Sequence, residues 1–304
     1  MIQKKRCIAL GFFDGIHIGH AALMKRVIEI GGATGLIPSV ITFDNHPLSL
    51  ISGNEILLIN SPEDRAGLLR RKFGIDDIIF LHFDKSTVSM PWDKFIDHLV
   101  DEFGARHLVA GNDFKFGHEG IGNSKLLAQK CKELDIGCDI IPDVVHDGIT
   151  CSSTYIRELL ISGDMERTNV FLGHPHVLTD VVRYGYRLGR TLGTPTINMC
   201  FSNGVQVPAF GVYATKVYLD DNNTNGYTGV TNIGIHPTVN SSGQVTAETH
   251  ILNFQRNLYG HQVRVEFHKR LRPEIKFKDI DELKDQIRKD CTAASEYFAN
   301  LLHE

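Results

Sequence analysis

The first 175 residues alternate between two periods. Short β-branched runs at Cys7 to Leu10, Val40 to Phe43, Ile78 to Phe83 and His107 to Ala110 read as strands, and stretches with apolar positions three and four apart separate them as helices. One helix, SPEDRAGLLRRKFG, carries its own punctuation: Ser61 caps it, Pro62 suits its first turn, Asp64 closes a capping box and Gly74 ends it. Strands alternating with helices of this length need crossover connections, which predicts a parallel α/β sheet covered on both faces, with ligands at the strands' carboxyl ends. From about residue 178 the pattern changes to strand-like segments such as FGVYATKVYL, VTAETHILNF and HQVRVEF, separated by turn-rich pieces such as DDNNTNGYTG. This half reads as a small antiparallel β-barrel. At the end, Asp279 with Glu282 forms a second capping box, and Leu283, Ile287, Cys291, Ala294, Phe298 and Leu301 make one stripe, so a C-terminal helix should pack on the barrel. The connecting GHPHVLTD has no flexible tract, and the change of pattern alone sets the domains at residues 1–175 and 178–304.

Composition adds mainly exclusions. A chain of 304 residues with 42% hydrophobic and 22% charged side chains has enough apolar surface for two cores. A formal net charge of -4 gives no general electrostatic reason to bind nucleic acid or an anionic membrane, so any phosphate must be gripped locally. The start MIQKKRCIALGFFDG soon runs out of apolar residues and reads as neither signal peptide nor membrane span, which places the protein in the cytoplasm. The six cysteines form no CxxC pair and have no zinc-finger histidines, so they read as reduced structural thiols. Nothing specifies an oligomeric state.

The strongest local signal is LGFFDGIHIGH, a strand running into a glycine turn, then His17-x-Gly19-His20 and a helical pattern. A helix start offers unpaired N–H groups and a positive dipole end to phosphate, and two histidines there can donate hydrogen bonds as charge builds in a transition state. Two surface histidines one turn apart, or a metal pair, are the competing readings. No third histidine or cysteine lies at a zinc spacing and Mg²⁺ prefers oxygen ligands, which disfavours the metal. GNDFKFGHEGIGN and CSSTYIRELL should lie on the same sheet edge. In the second, Ser153 and Thr154 offer hydroxyls at a helix start, with Arg157 one turn on, although a plain cap with a solvent arginine has the same spelling.

In the second half, YGYRLGRTLGTPTINM is a glycine-rich turn region that could form an anion nest. Thr196 and Asn198 follow it in alternation, so both oxygens would face one way and could complete a Mg²⁺ shell. Glu248 in VTAETHILNF shares a strand face with Leu252 and Phe254. If that face is interior, its carboxylate needs a task or an ion-pair partner such as Arg264, Arg270 or Arg272.

GFFDGIHIGH, TFDNHP, GNDFKFG and SSTYIR, in this order, resemble the adenylyltransferase half of the bifunctional riboflavin kinase/FAD synthetase family. GRTLGTPTIN, FGVYA, GVTNIGIHPTV, ETHILNFQRNLYG and RLRPEIKF are similar to its kinase half. The resemblance implies a Rossmann-like, HxGH-type nucleotidyltransferase domain followed by a riboflavin kinase barrel, together converting riboflavin to FMN and FMN to FAD with ATP and Mg²⁺. It implies that His17 and His20 handle the ATP phosphates, that Gly11, Phe12, Asp14 and Gly19 help bind the nucleotide and its phosphates, that Asp113 helps hold ATP or flavin, and that Ser153, Thr154 and Arg157 grip the β- and γ-phosphates. In the second half it implies Gly189 and Arg190 on ATP, Thr196 and Asn198 on Mg²⁺-ATP, Glu248 as general base for the ribityl hydroxyl and Arg272 in a loop closing over the flavin.

Two positions depart from the family's pattern. Thr194 stands where an aromatic is frequent, and Asn253 where an aspartate is common. A single-function HxGH adenylyltransferase would leave the second half unexplained, an aminoacyl-tRNA synthetase lacks its lysine-rich signature and basic surface, and a flavin-storing protein would not need His17, His20 and Glu248.

Overall fold

Cys7 to Leu10 is apolar at every position rather than at alternate ones, and the strand it belongs to, β1 (Arg6–Leu10), is buried on both faces at the centre of a sheet. The computed structural model describes residues 4–45, 55–82, 89–185, 193–219, 226–236 and 244–301. Contacts divide the chain into two units, Met1–Leu58 with Arg65–Ser153, and Ile59–Asp64 with Thr154–Glu304.

In the first unit the order is β1, α1 (Ile18–Thr34), β2 (Ile37–Phe43), α2 (Pro62–Phe73), β3 (Asp77–Leu81), α3 (Trp92–Asp101), β4 (Ala105–Gly111), α4 (Ser124–Glu133) and β5 (Gly137–Ile141). The sheet is parallel throughout and runs β3-β2-β1-β4-β5. The chain order therefore reverses between β1 and β4, and the crevice beyond their carboxyl ends is where an open α/β sheet takes its ligands. Phe95, Ile96 and Leu99 of α3 and Leu127 of α4 close one face over Ile8, Leu10 and Leu108. The expected strand at Ile78 stops at Leu81, and Phe83 lies outside the described residues. The box at the start of α2 forms as the spelling requires: Asp64 N donates to Ser61 Oγ at 3.0 Å, and Gly74 ends the helix at φ 64°.

A short hairpin, β6 (Val145–His146) and β7 (Ile149–Thr150), leads to α5 (Ser153–Ser162) and α6 (Met165–Leu172). The second unit continues with β8 (His176–Val181), β9 (Thr196–Cys200), β10 (Gly211–Tyr218), β11 (Tyr227–His236), β12 (Gln244–Ile251), β13 (Gln262–Arg272) and α7 (Ile280–Leu301). Its antiparallel sheet, β8-β13-β10-β11-β12-β9, curls into a half-barrel whose outer strands meet: Arg183 N donates to Asn198 O at 2.9 Å and Cys200 N to Asp180 Oδ2 at 2.8 Å.

Both faces of this sheet are covered, and period-two alternation sorts residues between them. The inner face holds Tyr213, Ile233, Ala247, Ile251 and Phe267, with Thr215, Thr231 and Thr249 joined in a buried line of hydroxyls 2.9 Å apart. The outer face carries Val212, Ala214 and Val230 against Ala294 and Phe298 of α7. The apolar stripe of α7 is only partly spent on this packing. Leu283 and Ile287 line a cavity instead, and Leu301, in the helix's last turn, is 44% exposed.

Candidate active sites

Between β1 and α1 the backbone is tightly wound. Phe13 (φ 54°), Gly15 (φ 80°) and Ile16 (φ 44°) all take positive φ, a conformation that bulky residues adopt at a cost and that clusters at functional turns. The turn delivers His17 to the N-cap of α1, where its Nδ1 accepts the His20 N–H at 3.3 Å. With Nδ1 committed as acceptor, the neutral ring carries its proton on Nε2. The two imidazoles stack with centroids 3.5 Å apart, and Phe13 meets His20 edge-on at 5.2 Å. Burial, then His17, then Arg65 hold the His20 pKa well below the ordinary histidine value, so this ring is neutral. Its Nδ1 is buried and has no hydrogen-bond partner among the described residues.

Glycines and Ser153 support the turn, and the other expected residues are described by their own elements. A Cβ on Gly19 would come within 3.0 Å of the His17 ring, so this glycine lets the imidazole fold over the first turn of α1. Gly11 supports the turn in the same way, since a Cβ there would meet the Phe13 ring. Asp14 is 1% exposed, and its carbonyl accepts from Ser153 Oγ at 3.1 Å, so the start of α5 is tied to the β1–α1 turn. Thr154 and Arg157 follow on α5, the first exposed and the second half-buried. Asp113, just past β4, is exposed and folds back over Gly111, where a Cβ would lie 3.0 Å from its Oδ1.

In the second unit, antiparallel register gathers the expected residues. Glu248 stands opposite Asn198 on one side and Asn232 on the other, while Thr196 stands opposite His250. All five fall on the outer face, because Ile197, Met199, Ala247 and Thr249 occupy the inner one. The expected grouping of Glu248 with Leu252 and Phe254 holds in part: Leu252 packs on the outer face beside Val212, Ala214 and Val230, whereas Phe254 leaves it. β12 stops at Ile251, Asn253 turns the chain at φ 56°, and Phe254 faces a different cavity. That turn also accounts for Asn253: left-handed backbone favours Asn and Asp alike, so the departure leaves the turn intact.

Glu248 and Arg272 line one cavity of about 230 Å³ together with Thr194, Thr196 and Asn232, covered by Ile275 and Phe277 from the segment before α7. Thr194 thus does take part in the wall, as a smaller side chain than the usual aromatic. Arg272 is held there by Asp290 of α7, with Nη2 donating to Oδ2 at 2.8 Å and Nε to Oδ1 at 3.0 Å. The other two arginines considered as partners for Glu248 bond elsewhere, Arg264 to Glu266 and Arg270 to the Phe210 carbonyl. A second cavity, of about 440 Å³, opens beside Pro195, Thr196, Phe254, Asn257 and Tyr259. Aromatic groups crowd this opening: Tyr184 stacks on Tyr259 at 4.0 Å, and Arg256 sits over Phe254 at 5.4 Å. Thr196 borders both cavities.

Thr196 and Asn198 fit a hard cation by donor type. Among the described residues no group of three or more His, Cys, Asp or Glu could hold a metal, whereas a hydroxyl and an amide oxygen on one strand face suit an ion that brings phosphate oxygens with it. Gly185 supports this arrangement, since a Cβ there would lie 2.4 Å from Asn198 Nδ2. Gly189 and Arg190 lie outside the described residues. The sequence reading missed Arg65 and Asp290. Each is a charged residue on the apolar side of its helix, Arg65 three and four positions before Leu68 and Leu69 and Asp290 three after Ile287, and that misplacement is the signal that could have found them.

A family model described as FAD synthetase matches residues 1–155, and one described as riboflavin kinase matches residues 172–298. A bifunctional riboflavin kinase/FMN adenylyltransferase of Bacillus subtilis (strain 168) is 35% identical across 98% of this chain and 94% of its own length. One of Escherichia coli (strain K12) is 33% identical across 97% and 94%. Among solved structures, a chain described as a macrolide-efflux protein from Streptococcus pneumoniae superposes with a TM-score of 0.83 at 27% identity, covering 96% of this chain and 94% of that one. Among the described residues, no helix is long and apolar enough to cross a membrane.

Proposed function

Because this chain belongs to the bifunctional riboflavin kinase/FMN adenylyltransferase family, we propose that it runs the family's two transfers at two separate constellations, the turn before α1 and the outer face of the half-barrel. It phosphorylates riboflavin to FMN and adenylylates FMN to FAD, with ATP as co-substrate in both steps.

In adenylyl transfer a phosphate oxygen of FMN attacks the α-phosphorus of ATP, the bond from that phosphorus to the bridging oxygen breaks, and pyrophosphate leaves. The FMN phosphate is already ionised, so no base is required. His17 and His20, as neutral rings, each have one N–H to donate to oxygens that gain charge in the transition state. The free N–H groups of the first turn of α1 add to this, and Gly11, Phe12, Asp14 and Gly19 shape the cradle. We assign Asp113 to ATP or flavin, and Ser153, Thr154 and Arg157 at the start of α5 to the β- and γ-phosphates.

In the kinase step the ribityl hydroxyl oxygen attacks the γ-phosphorus, its proton passes to Glu248, and the bond to the ADP oxygen breaks. Arg272, held by Asp290, contacts the flavin in the 230 Å³ cavity, and ATP takes the larger aromatic one, with Gly189 and Arg190 assigned to its phosphates. Thr196 and Asn198 would hold Mg²⁺, which neutralises phosphate charge when bound. The position of Thr196 between the two cavities is what supports in-line transfer there. We assign the protein to the cytoplasm, where ATP and riboflavin are both supplied.

The observation that carries this reading is that each half holds its own polar constellation and its own family match. Incubation with riboflavin, ATP and Mg²⁺, followed by chromatographic separation of the flavins, should give FMN and then FAD. A yellow protein that consumes no ATP under those conditions would sink the proposal.

A further inference from the structure

Among the described residues, the largest fully buried side chain is a charged one. Arg65, on α2, is 0% exposed, yet among the described residues no carboxylate comes within ion-pair distance of it. Its Nη1 lies 2.9 Å from the Phe12 carbonyl, 2.8 Å from the Phe43 carbonyl and 3.0 Å from Thr42 Oγ1. Thr42 Oγ1 in turn donates to the Phe12 carbonyl at 2.6 Å. The guanidinium also sits over the Phe12 ring, 4.7 Å from its centroid. A single nitrogen therefore ties the carboxyl end of β2 to the first residues of the β1–α1 turn. Among the described residues, the buried Nε and Nη2 have no hydrogen-bond partner.

This arrangement is costly if its purpose is stability. A buried charge with no contacting counter-charge forfeits its solvation, and an apolar residue of similar size in such a place is often neutral or stabilising. Guanidinium stays protonated even when burial lowers its pKa, as it does here. Asp14 and Asp44 attract it from a distance without neutralising it in contact. The charge lies behind the turn that presents His17 and His20, at the edge of the sheet where polyphosphate chemistry is assigned.

We propose that Arg65 is a positioning residue of the adenylyl-transfer site, clamping the Phe12 carbonyl to the end of β2 so that the His17/His20 turn holds its wound geometry, and lending that turn a fixed positive charge. This rests on the reading of the first unit as the FAD-forming half. Arg65 touches no substrate, because its nitrogens are enclosed. It acts through the turn and through His20, whose facing charged or titratable neighbours are His17 on the same turn and Arg65 from α2. A fixed cation there opposes protonation of His20 and keeps it the neutral donor that the reaction uses.

The test uses the full chain as wild type, Arg65→Met and Arg65→Lys, with FMN formation measured beside FAD formation in every preparation. Arg65→Met should lower kcat for FAD formation by about 10²-fold, the usual effect of a displacement near 1 Å. FMN formation should stay within about threefold, the scatter expected when that chemistry is untouched. Arg65→Lys keeps the charge but not the fork, and should lose about tenfold. The histidine ring signals of the labelled protein give a readout that packing alone would not move: His20 should titrate at higher pH in Arg65→Met and at its wild-type position in Arg65→Lys. FAD formation by Arg65→Met within about threefold of wild type would overturn the proposal. So would equal loss of both activities in the two variants, or an unchanged His20 titration in Arg65→Met. Absence of FAD formation by the wild type would instead overturn the family reading on which the site rests.

Discussion

Glu248 of β12 and Asn198 of β9 stand directly opposite each other across an antiparallel ladder, with Asn232 of β11 on the far side of Glu248. The proposed base and one proposed Mg²⁺ ligand thus share a face and a level of the sheet. Glu248→Gln keeps the shape and most hydrogen bonding while removing the proton acceptor. Riboflavin phosphorylation should fall by about 10²–10⁴-fold, with FAD formation from added FMN and the melting curve unchanged. A parallel decline of both activities and of Tm would mean that the carboxylate is structural.

His20→Ala removes one neutral donor and the ring stacked on His17 at 3.5 Å. FAD formation should lose about 2.7–4 kcal/mol of transition-state stabilisation, comparable to deletion of one oxyanion donor, while FMN formation is retained. Paired rates on one preparation decide this, and unchanged FAD synthesis would remove His20 from the mechanism.

The half-barrel contains an acid-sensitive group. His176 on β8 is fully buried, neither ring nitrogen has a partner among the described residues, and burial, with a smaller push from His174, brings its pKa down to about 3. Below pH 6.5 the unfolded chain takes up a proton here that the folded chain refuses. Stability is therefore complete above pH 6.5 and drains away as pH falls toward about 3. His176→Leu should melt at or above the wild-type temperature at neutral pH, and should lose less Tm between pH 7 and pH 5. Parallel Tm–pH curves would show that other groups set the acid limit.

A fragment containing the kinase half should begin near Thr154 rather than at Val177. Asn169 of α6 donates to the Phe267 carbonyl of β13 at 2.8 Å and accepts from His176 N at 2.9 Å, and Phe171 and Leu172 are buried. A fragment from Val177 loses all of these and should be less stable by about 3–5 kcal/mol, the usual size of one large core truncation. Denaturant melts of the two fragments, each assayed for FMN formation, compare them directly; equal stability would contradict a structural role for α6.

The element pattern of the first unit was legible because buried parallel strands leave continuous apolar runs and their helices carry explicit caps, as at Ser61 and Gly74. The surroundings of Glu248 were not. Alternation says which residues share a face, but in a sheet covered on both sides it does not say which face holds the ligands. Nor could it show that Asn253 would turn Phe254 into the other cavity. Arg65 stayed hidden for a related reason. In a helix that also contains Arg70, Arg71 and Lys72, one more basic residue reads as solvent-facing unless its place on the apolar side, three and four positions before Leu68 and Leu69, is weighed.

Gly185 contacts no assigned substrate group, yet the space above its bare backbone is filled by the Asn198 amide, which any side chain at 185 would push aside. Such a change would leave the core intact and weaken the proposed Mg²⁺ ligand, and if that proposal holds a weakened ligand can be offset by a higher ion concentration in a way that a lost fold cannot. In a growing cell this would look like a nutritional defect: abundant, well-folded protein whose flavin output rises and falls with the magnesium supply.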